Sequence, residues 1–236
     1  MRTKALVLTA ALVAVGALSS MAQSNVYSLN VVGYVNVPLV SGYTLVTAQL
    51  SGTNNSIATV MGASFPSGVA VFKWNAASQS LGNADTWYNT DVAPAAGWYD
   101  SNNNPSTTTL SLGESFFVNS PAATNVTFIG TVSQATNTVP IGIGYSFVGL
   151  TVPLSADLTT NSTYTLPAIP GLAVFTFNTT AQSYDNAITY YDTSVAPVAG
   201  WYDSNNNPAS VIPKVGQGFL LNSTVTGSWK PSFTVQ

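Results

Sequence analysis

Short runs of β-branched and aromatic residues, separated by clusters of Gly, Pro, Asn and Ser, recur along most of this chain. The clearest runs are residues 31–37, 43–50, 69–74 and 115–119. Their length and composition predict β-strands. Residues 55–61 and 155–160 are the segments that could form a helical turn, and no long amphipathic helix is expected. The pattern predicts an all-β fold and disfavours an α/β fold with a parallel sheet.

The same pattern occurs twice. The segment Val-Ala-Pro-Ala-Ala-Gly-Trp-Tyr-Asp-Ser-Asn-Asn-Asn-Pro at 92–105 returns at 195–208 with one change, Val198 in place of Ala95. Shorter pairs keep the same order, such as Gly-Tyr at 42 and 144 and Gln-Ser at 79 and 182. A period of about 100 residues is the size of a domain. We therefore predict two tandem homologous β-sandwich-like or barrel-like modules, residues 23–133 and 134–236.

The first 22 residues have the features of a secretory signal peptide. Arg2 and Lys4 precede an uncharged run rich in Ala, Val and Leu, and small residues flank Met21 at the expected cleavage site. The run is shorter than the roughly 20 residues that span a bilayer. We predict export, with the mature protein secreted or held at the cell surface and not inserted in a membrane.

Charge is scarce in this chain. Charged residues make up 6% of it, with five Lys and Arg against eight Asp and Glu, whereas ordinary soluble domains contain about 25%. After removal of the signal peptide the cations are Lys73, Lys214 and Lys230. Such a surface cannot neutralise phosphates, so nucleic acid is not an expected partner. Low charge also weakens repulsion between copies, which favours self-association.

Catalysis is not expected. The chain has no His and no Cys, which removes the common bases, nucleophiles and zinc ligands. Carboxylate chemistry needs two acids at one site. Asp100 and Asp203 are the acids at matching repeat positions, and the repeat places them in different modules. No cofactor is predicted.

The repeated Trp-Tyr-Asp-Ser-Asn-Asn-Asn loop is the main candidate for a site. It is open to three interpretations. It can be a turn, with Asp and Asn bonding to their own backbone. It can bind a glycan, with the aromatic rings stacking on sugars. The candidate ligand-binding residues of the two loops are Trp98, Tyr99, Asp100, Asn102, Asn104, Trp201, Tyr202, Asp203, Asn205 and Asn207.

The third interpretation is a weak Ca²⁺ site. The D-x-N-x-N spacing of Asp100, Asn102 and Asn104, repeated at Asp203, Asn205 and Asn207, opens calcium loops. Pro replaces the loop Gly, and Ser111 or Lys214 replaces the bidentate Glu at the twelfth position. One carboxylate in each loop predicts low affinity.

The order of the motifs resembles that of a group of uncharacterised exported bacterial β proteins. In this chain the motifs are Val-Gly-Tyr-Val, Gly-Tyr-x-Leu-Val, Ala-Val-Phe-x-Trp, Gly-Trp-Tyr and Gly-Glu-Ser-Phe-Phe-Val. In that group a Gly-aromatic-x-Leu strand and a later Gly-x-[GS]-Phe-Phe strand recur in modules of about 100 residues. The resemblance implies an extracellular or surface β module and assigns no activity.

These observations predict a non-catalytic structural protein of a matrix, surface layer or filament. Copies would associate through strand edges, because a terminal strand shared between modules would leave the strands at the two chain ends unpaired. The alternatives are a carbohydrate-binding or adhesive module that uses the Trp-Tyr loops, and a weak calcium-binding surface module.

Overall fold

The computed structural model describes residues 31–62 and 65–233, which lie in one compact unit, Val31–Gln236. The predicted signal peptide lies outside the described residues. In the part described, regular structure consists of antiparallel strands and one short helix. The all-β prediction is confirmed.

Each sequence repeat contributes its own strands. The first repeat, residues 31–133, contains β1 (Val31–Leu39), β2 (Gly42–Thr47), α1 (Ile57–Met61), β3 (Ala70–Asn75), β4 (Ser80–Tyr88), β5 (Gly97–Tyr99), β6 (Ser115–Ser120) and β7 (Thr124–Val132). The second repeat, residues 134–233, contains β8 (Val139–Ile141), β9 (Gly144–Val148), β10 (Ala173–Asn178), β11 (Ser183–Tyr184), β12 (Ile188–Tyr191), β13 (Gly200–Tyr202), β14 (Phe219–Ser223) and β15 (Gly227–Trp229).

The two repeats have the same sheet topology. The order is β2-β6-β3-β4-β5 in the first and β9-β14-β10-β12-β13 in the second, where β11 also pairs with β10. Each repeat adds a two-stranded ribbon, β1–β7 or β8–β15. Every ladder between these strands joins strands of one repeat. The predicted boundary at residue 133 falls between β7 and β8, but the division into two modules stays a prediction, because the described chain forms a single compact unit.

The ribbon β1–β7 pairs the first strand of the first repeat with its last. The two strands are antiparallel over nine residues, from Val31 opposite Val132 to Leu39 opposite Thr124. At the other end β15 pairs with β8, so among the described residues neither end strand is unpaired, and that step of the prediction from sequence is wrong. Side chains alternate along β1: Val35, Val37 and Leu39 are buried, while the residues between them face outward.

The central strands β6 and β14 carry the hydrophobic core. Phe116 and Val118 on β6, and Phe219 and Leu221 on β14, are fully buried. They belong to one cluster of buried side chains to which both repeats contribute. The two repeats therefore share this core.

A second, smaller cluster lies where the two repeats meet, and we call this junction the seam. Its buried members come from both repeats: Leu45, Phe117, Phe147, Phe177 and Leu220. The rings of Phe117 and Phe177 pack edge to face with centroids 4.9 Å apart. Aromatic contacts of this kind stabilise the seam beyond simple burial.

Backbone hydrogen bonds cross the seam in matching pairs. The N–H of Thr47 donates to the carbonyl of Gly216 at 2.9 Å, and at the equivalent position the N–H of Gly149 donates to the carbonyl of Gly113 at 3.0 Å. Such reciprocal contacts are the mark of an interface with approximate twofold symmetry. In this chain the symmetry relates two halves of one molecule.

The helical turn predicted over residues 55–61 is present as α1. The Ser56 hydroxyl accepts a hydrogen bond from the N–H of Thr59, and Gly62 ends the helix with a positive φ of 75°. The turn predicted over 155–160 is not a helix. The Asp157 carboxylate accepts hydrogen bonds from the N–H and hydroxyl of Thr159 instead, which holds an irregular turn.

Candidate functional site

The repeated loop follows β5 and is closed by its own aspartate. Oδ1 of Asp100 accepts hydrogen bonds from the N–H groups of Asn102 and Asn104, both at 2.9 Å. The main chains of Asp100 and Asn104 are also bonded, and Asn103 between them adopts a left-handed φ of 61°. Asn accepts this conformation more readily than most residues. This geometry agrees with the turn interpretation.

The second loop repeats this arrangement after β13. Oδ1 of Asp203 accepts from the N–H groups of Asn205 and Asn207, and Asn206 has a φ of 61°. The Asn207 side-chain amide adds a bond to Oδ2 of Asp203 at 3.2 Å. The near-identity of the two loops in sequence therefore corresponds to one hydrogen-bond pattern built twice.

These hydrogen bonds lower the pKa of both aspartates. For Asp100 the N–H of Asn104 is the largest cause and outweighs the opposing effect of desolvation. For Asp203 the N–H of Asn207 is the largest cause, followed by its side-chain amide. Both carboxylates are ionised at neutral pH and point into the turn that they hold.

The tyrosines of the loops are anchored to backbone. The Tyr99 hydroxyl donates to the carbonyl of Ala95 at 2.8 Å, and the Tyr202 hydroxyl donates to that of Val198 at 2.7 Å. Both rings are half-buried. The phenol hydroxyls thus fasten the segment before the turn onto the sheet.

The two loop tryptophans lie in the core. Trp98 is 4% exposed and Trp201 is 6% exposed. Trp98 packs edge to face on Trp87, with centroids 5.7 Å apart, and Trp201 packs in the same way on Tyr190 at 5.5 Å. Their ring faces are covered by protein, so their placement lends no support to glycan stacking at these loops. That interpretation stays a prediction.

The loops also give the calcium hypothesis no support. The oxygens that would approach an ion, Oδ1 of Asp100 and of Asp203, each accept two backbone N–H groups. Within residues 31–62 and 65–233, no group of three or more acids comes together as a metal site. The hypothesis stays a prediction.

A cleft at the seam brings together residues that the sequence did not single out as a site. Trp74 from the first repeat stacks on Phe147 from the second, with ring centroids 4.6 Å apart and planes 2° apart. Its indole N–H donates to the carbonyl of Tyr145 at 2.9 Å. Phe175 and Tyr184 continue the wall. The sequence alone does not indicate this cleft, because its residues come from both repeats. Aligning one repeat with the other does not show which residues of the two repeats are in contact.

The β1–β7 ribbon forms a second unusual surface. Val32, Tyr34 and Ile129 are 72%, 74% and 52% exposed, and Tyr34 lies opposite Ile129 in the ladder. We call these three residues the ribbon patch. The equivalent positions in the second repeat are Gln134, Thr136 and Ser232, which are polar. Thr136 forms an isolated antiparallel β-bridge with Ser232, and Tyr34 pairs with Ile129 at the equivalent position of the first repeat.

Comparisons with known proteins give no further guide. No protein-family model, curated protein or solved structure matches this chain. Across the described ranges, no helix has the length and apolar character needed to cross a membrane.

Proposed function

We propose that this protein is an exported, non-catalytic structural component whose copies associate through the β1–β7 ribbon. The observation that carries the proposal is the ribbon patch. Three apolar side chains project from one face of a ribbon, while the equivalent positions of the second repeat, which lie just outside β8 and β15, are polar. The fold therefore does not require apolar residues there.

The ribbon has no charged residue to oppose such a contact. Neither VVGYVNVPL of β1 nor TNVTFIGTV of β7 contains Asp, Glu, Lys or Arg. Docking a second copy would desolvate no ion, which is the usual electrostatic cost of association. Among the described residues β1 has no ladder partner other than β7, so its outer edge also offers backbone groups for pairing.

The expected strength of the contact follows from its size. Full burial of an apolar side chain contributes about 1.5–3 kcal/mol, and a symmetric contact buries the patch of each copy. Association itself costs about 4–15 kcal/mol. The two terms are of similar size, so we expect a weak, concentration-dependent association that only a crowded matrix or filament would saturate.

Exchanging residues between the repeats tests the proposal. The variant Val32→Gln, Tyr34→Thr, Ile129→Ser gives the first ribbon the residues found at the equivalent positions of the second repeat. Light scattering over a range of concentrations should show the wild-type mature chain growing in mass and the variant remaining monomeric.

A matched control makes the same kinds of change elsewhere. Val195→Gln, Val198→Thr and Ile143→Ser replace apolar residues that are similarly exposed but lie outside the ribbon. The control should associate as the wild type does. A wild-type chain that stays monomeric at high concentration, or a control that loses association equally, would refute the proposal.

A further inference from the structure

Two surface cavities adjoin along the seam. One has a volume of about 470 Å³ and the other about 430 Å³, and both are lined by Trp74 and Phe147. Each volume lies within the range of small-molecule sites. Together they form one cleft in which the two cavities share this indole. We call this the seam cleft.

The central indole is held in one orientation. A ladder irregularity between Phe72 and Trp74 interrupts the pairing of β3 with β4 at this point. One ring face of Trp74 stacks on Phe147, and its N–H is bonded to the Tyr145 carbonyl. A side chain fixed from two directions loses little entropy when a ligand binds, which favours affinity.

The second cavity joins aromatic rings to hydrogen-bonding groups. Tyr145 is 40% exposed and Tyr184 is 37% exposed, and each packs edge to face on Phe175. Asp185 and Asn186 lie beside them in the cavity wall. The Asp185 carboxylate accepts bonds from the Thr176 hydroxyl and the Asn178 amide, which orient it and leave further lone pairs free.

The phenol of Tyr184 remains protonated over the physiological range. Partial burial, with a smaller contribution from the neighbouring Tyr145, raises the pKa of Tyr184 to about 12. Its hydroxyl can therefore donate a hydrogen bond as well as accept one.

From this set of groups we propose that the seam cleft binds an uncharged glycan chain. Sugar rings present apolar C–H faces that pack on aromatic rings, and hydroxyl groups that pair with carboxylates, amides and phenols. The charges of the cleft select against acidic glycans. Asp185 is an anion, and Lys73 at the other cavity is already paired with Glu114 at 2.9 Å.

The two repeats differ at the residues that make the cleft. Tyr184 and Asp185 correspond to Leu81 and Gly82 in the first repeat, and Trp74 corresponds to Phe177. The strands that carry these positions have the same topology in both repeats. The fold thus does not require the aromatic, carboxylate and indole groups, and only one side of the seam collects them.

The test combines a glycan array with calorimetry. The array should carry neutral and acidic oligosaccharides, and the mature wild-type chain should bind neutral members. Tyr184→Leu with Asp185→Gly, which introduces the residues of the first repeat, should weaken binding at least tenfold, because it removes a stacking ring and a charged acceptor. Leu81→Ala at the equivalent position should change affinity less than twofold.

Two further measurements separate a loss of glycan binding from misfolding and from a loss of self-association. Near-ultraviolet circular dichroism of the double variant checks that the seam still folds. The ribbon variant should bind glycans as the wild type does, so this inference and the proposed self-association can fail separately. The inference is overturned if no glycan binds, if only acidic glycans bind, or if the double variant binds unchanged.

Discussion

The side-chain amide of Gln79 forms two hydrogen bonds with the main chain of Tyr145 across the seam. Oε1 of Gln79 accepts a hydrogen bond from the N–H of Tyr145 at 2.6 Å, and its Nε2 donates to the Tyr145 carbonyl at 3.1 Å. Gln182 does the same for Tyr43, at 2.7 and 3.0 Å. Each repeat thus holds one edge strand of the other repeat's main sheet: Gln79 holds β9, and Gln182 holds β2.

We expect the loss of these amide–main-chain hydrogen bonds to destabilise the seam and lower the free energy of unfolding. Gln79→Ala should lower the free energy of unfolding by about 1–3 kcal/mol, since it removes two hydrogen bonds to Tyr145 and each intramolecular hydrogen bond contributes roughly 0.5–1.5 kcal/mol. Gln182→Ala should have a similar effect, and the double variant should lose roughly the sum. Urea unfolding measures all three. Ala77→Ser in the turn of Gln79 is the control, and a double variant as stable as this control would contradict the account.

Gly216 is expected to be indispensable for the seam. It has a positive φ of 76°, its N–H donates to Oε1 of the buried Gln49 at 2.8 Å, and a methyl group there would collide with Val37. Gly216→Ala should destabilise the protein by more than about 2 kcal/mol, because it adds overpacking to backbone strain.

Gly171→Ala separates these two contributions. Gly171 has a similar φ of 79° but open space around its Cα. This variant should cost only the strain, about 1 kcal/mol. Thermal unfolding compares the two variants, and equal losses would show that the contact across the seam has no part in the effect.

The repeated loop should respond to backbone chemistry at its tip. Asn103 holds a φ of 61°, which glycine adopts freely and valine does not. Asn103→Gly should leave stability nearly unchanged, whereas Asn103→Val should lower it by about 1–2 kcal/mol. Both are measured by thermal unfolding. Equal stability of the two variants would mean that the turn geometry contributes little.

Stability should be flat near neutral pH and fall in acid. The pKa values of Asp100, Asp203 and Asp192 are lowered in the folded state, the first two mainly by backbone N–H groups and the third by the Ser194 hydroxyl. The unfolded chain therefore takes up protons first as pH falls. This stabilisation is complete above the usual aspartate pKa near 4 and is lost below it.

With no His or Cys in the chain, little titrates between about pH 6 and 9 except the amino end. Chemical denaturation across pH 3 to 9 provides the measurement. A stability transition centred near pH 7 would contradict this expectation.

Local patterns gave most of the fold in advance. The predicted strands over 31–37 and 115–119 correspond to Val31–Leu39 and Ser115–Ser120, because alternation and β-branched content are properties of each segment alone. The helical turn predicted before Met61 is also present. The helical turn predicted over residues 155–160 is absent, because the Asp157 carboxylate bonds locally to Thr159 and this competes with helix formation.

Contacts between the repeats could not be predicted in this way. The sequence shows Gly-Tyr and Gln-Ser matched in both repeats, but matching does not reveal that Gln79 contacts Tyr145 of the other repeat. The burial of Trp98 also depends on tertiary packing, here against Phe65 and Trp87 of its own repeat, which the pattern of strands does not show. The sequence does not indicate the seam cleft, because Trp74 and Tyr184 are distant in sequence and lie in different repeats.

Hydrogen exchange of the mature chain at low and high protein concentration tests the central claim most directly. If copies meet at the ribbon patch, peptides covering β1 and β7 should exchange more slowly at high concentration, while those covering β8 and β15 should not change. Exchange that is independent of concentration throughout the chain, or slowing confined to β8 and β15, would contradict the claim.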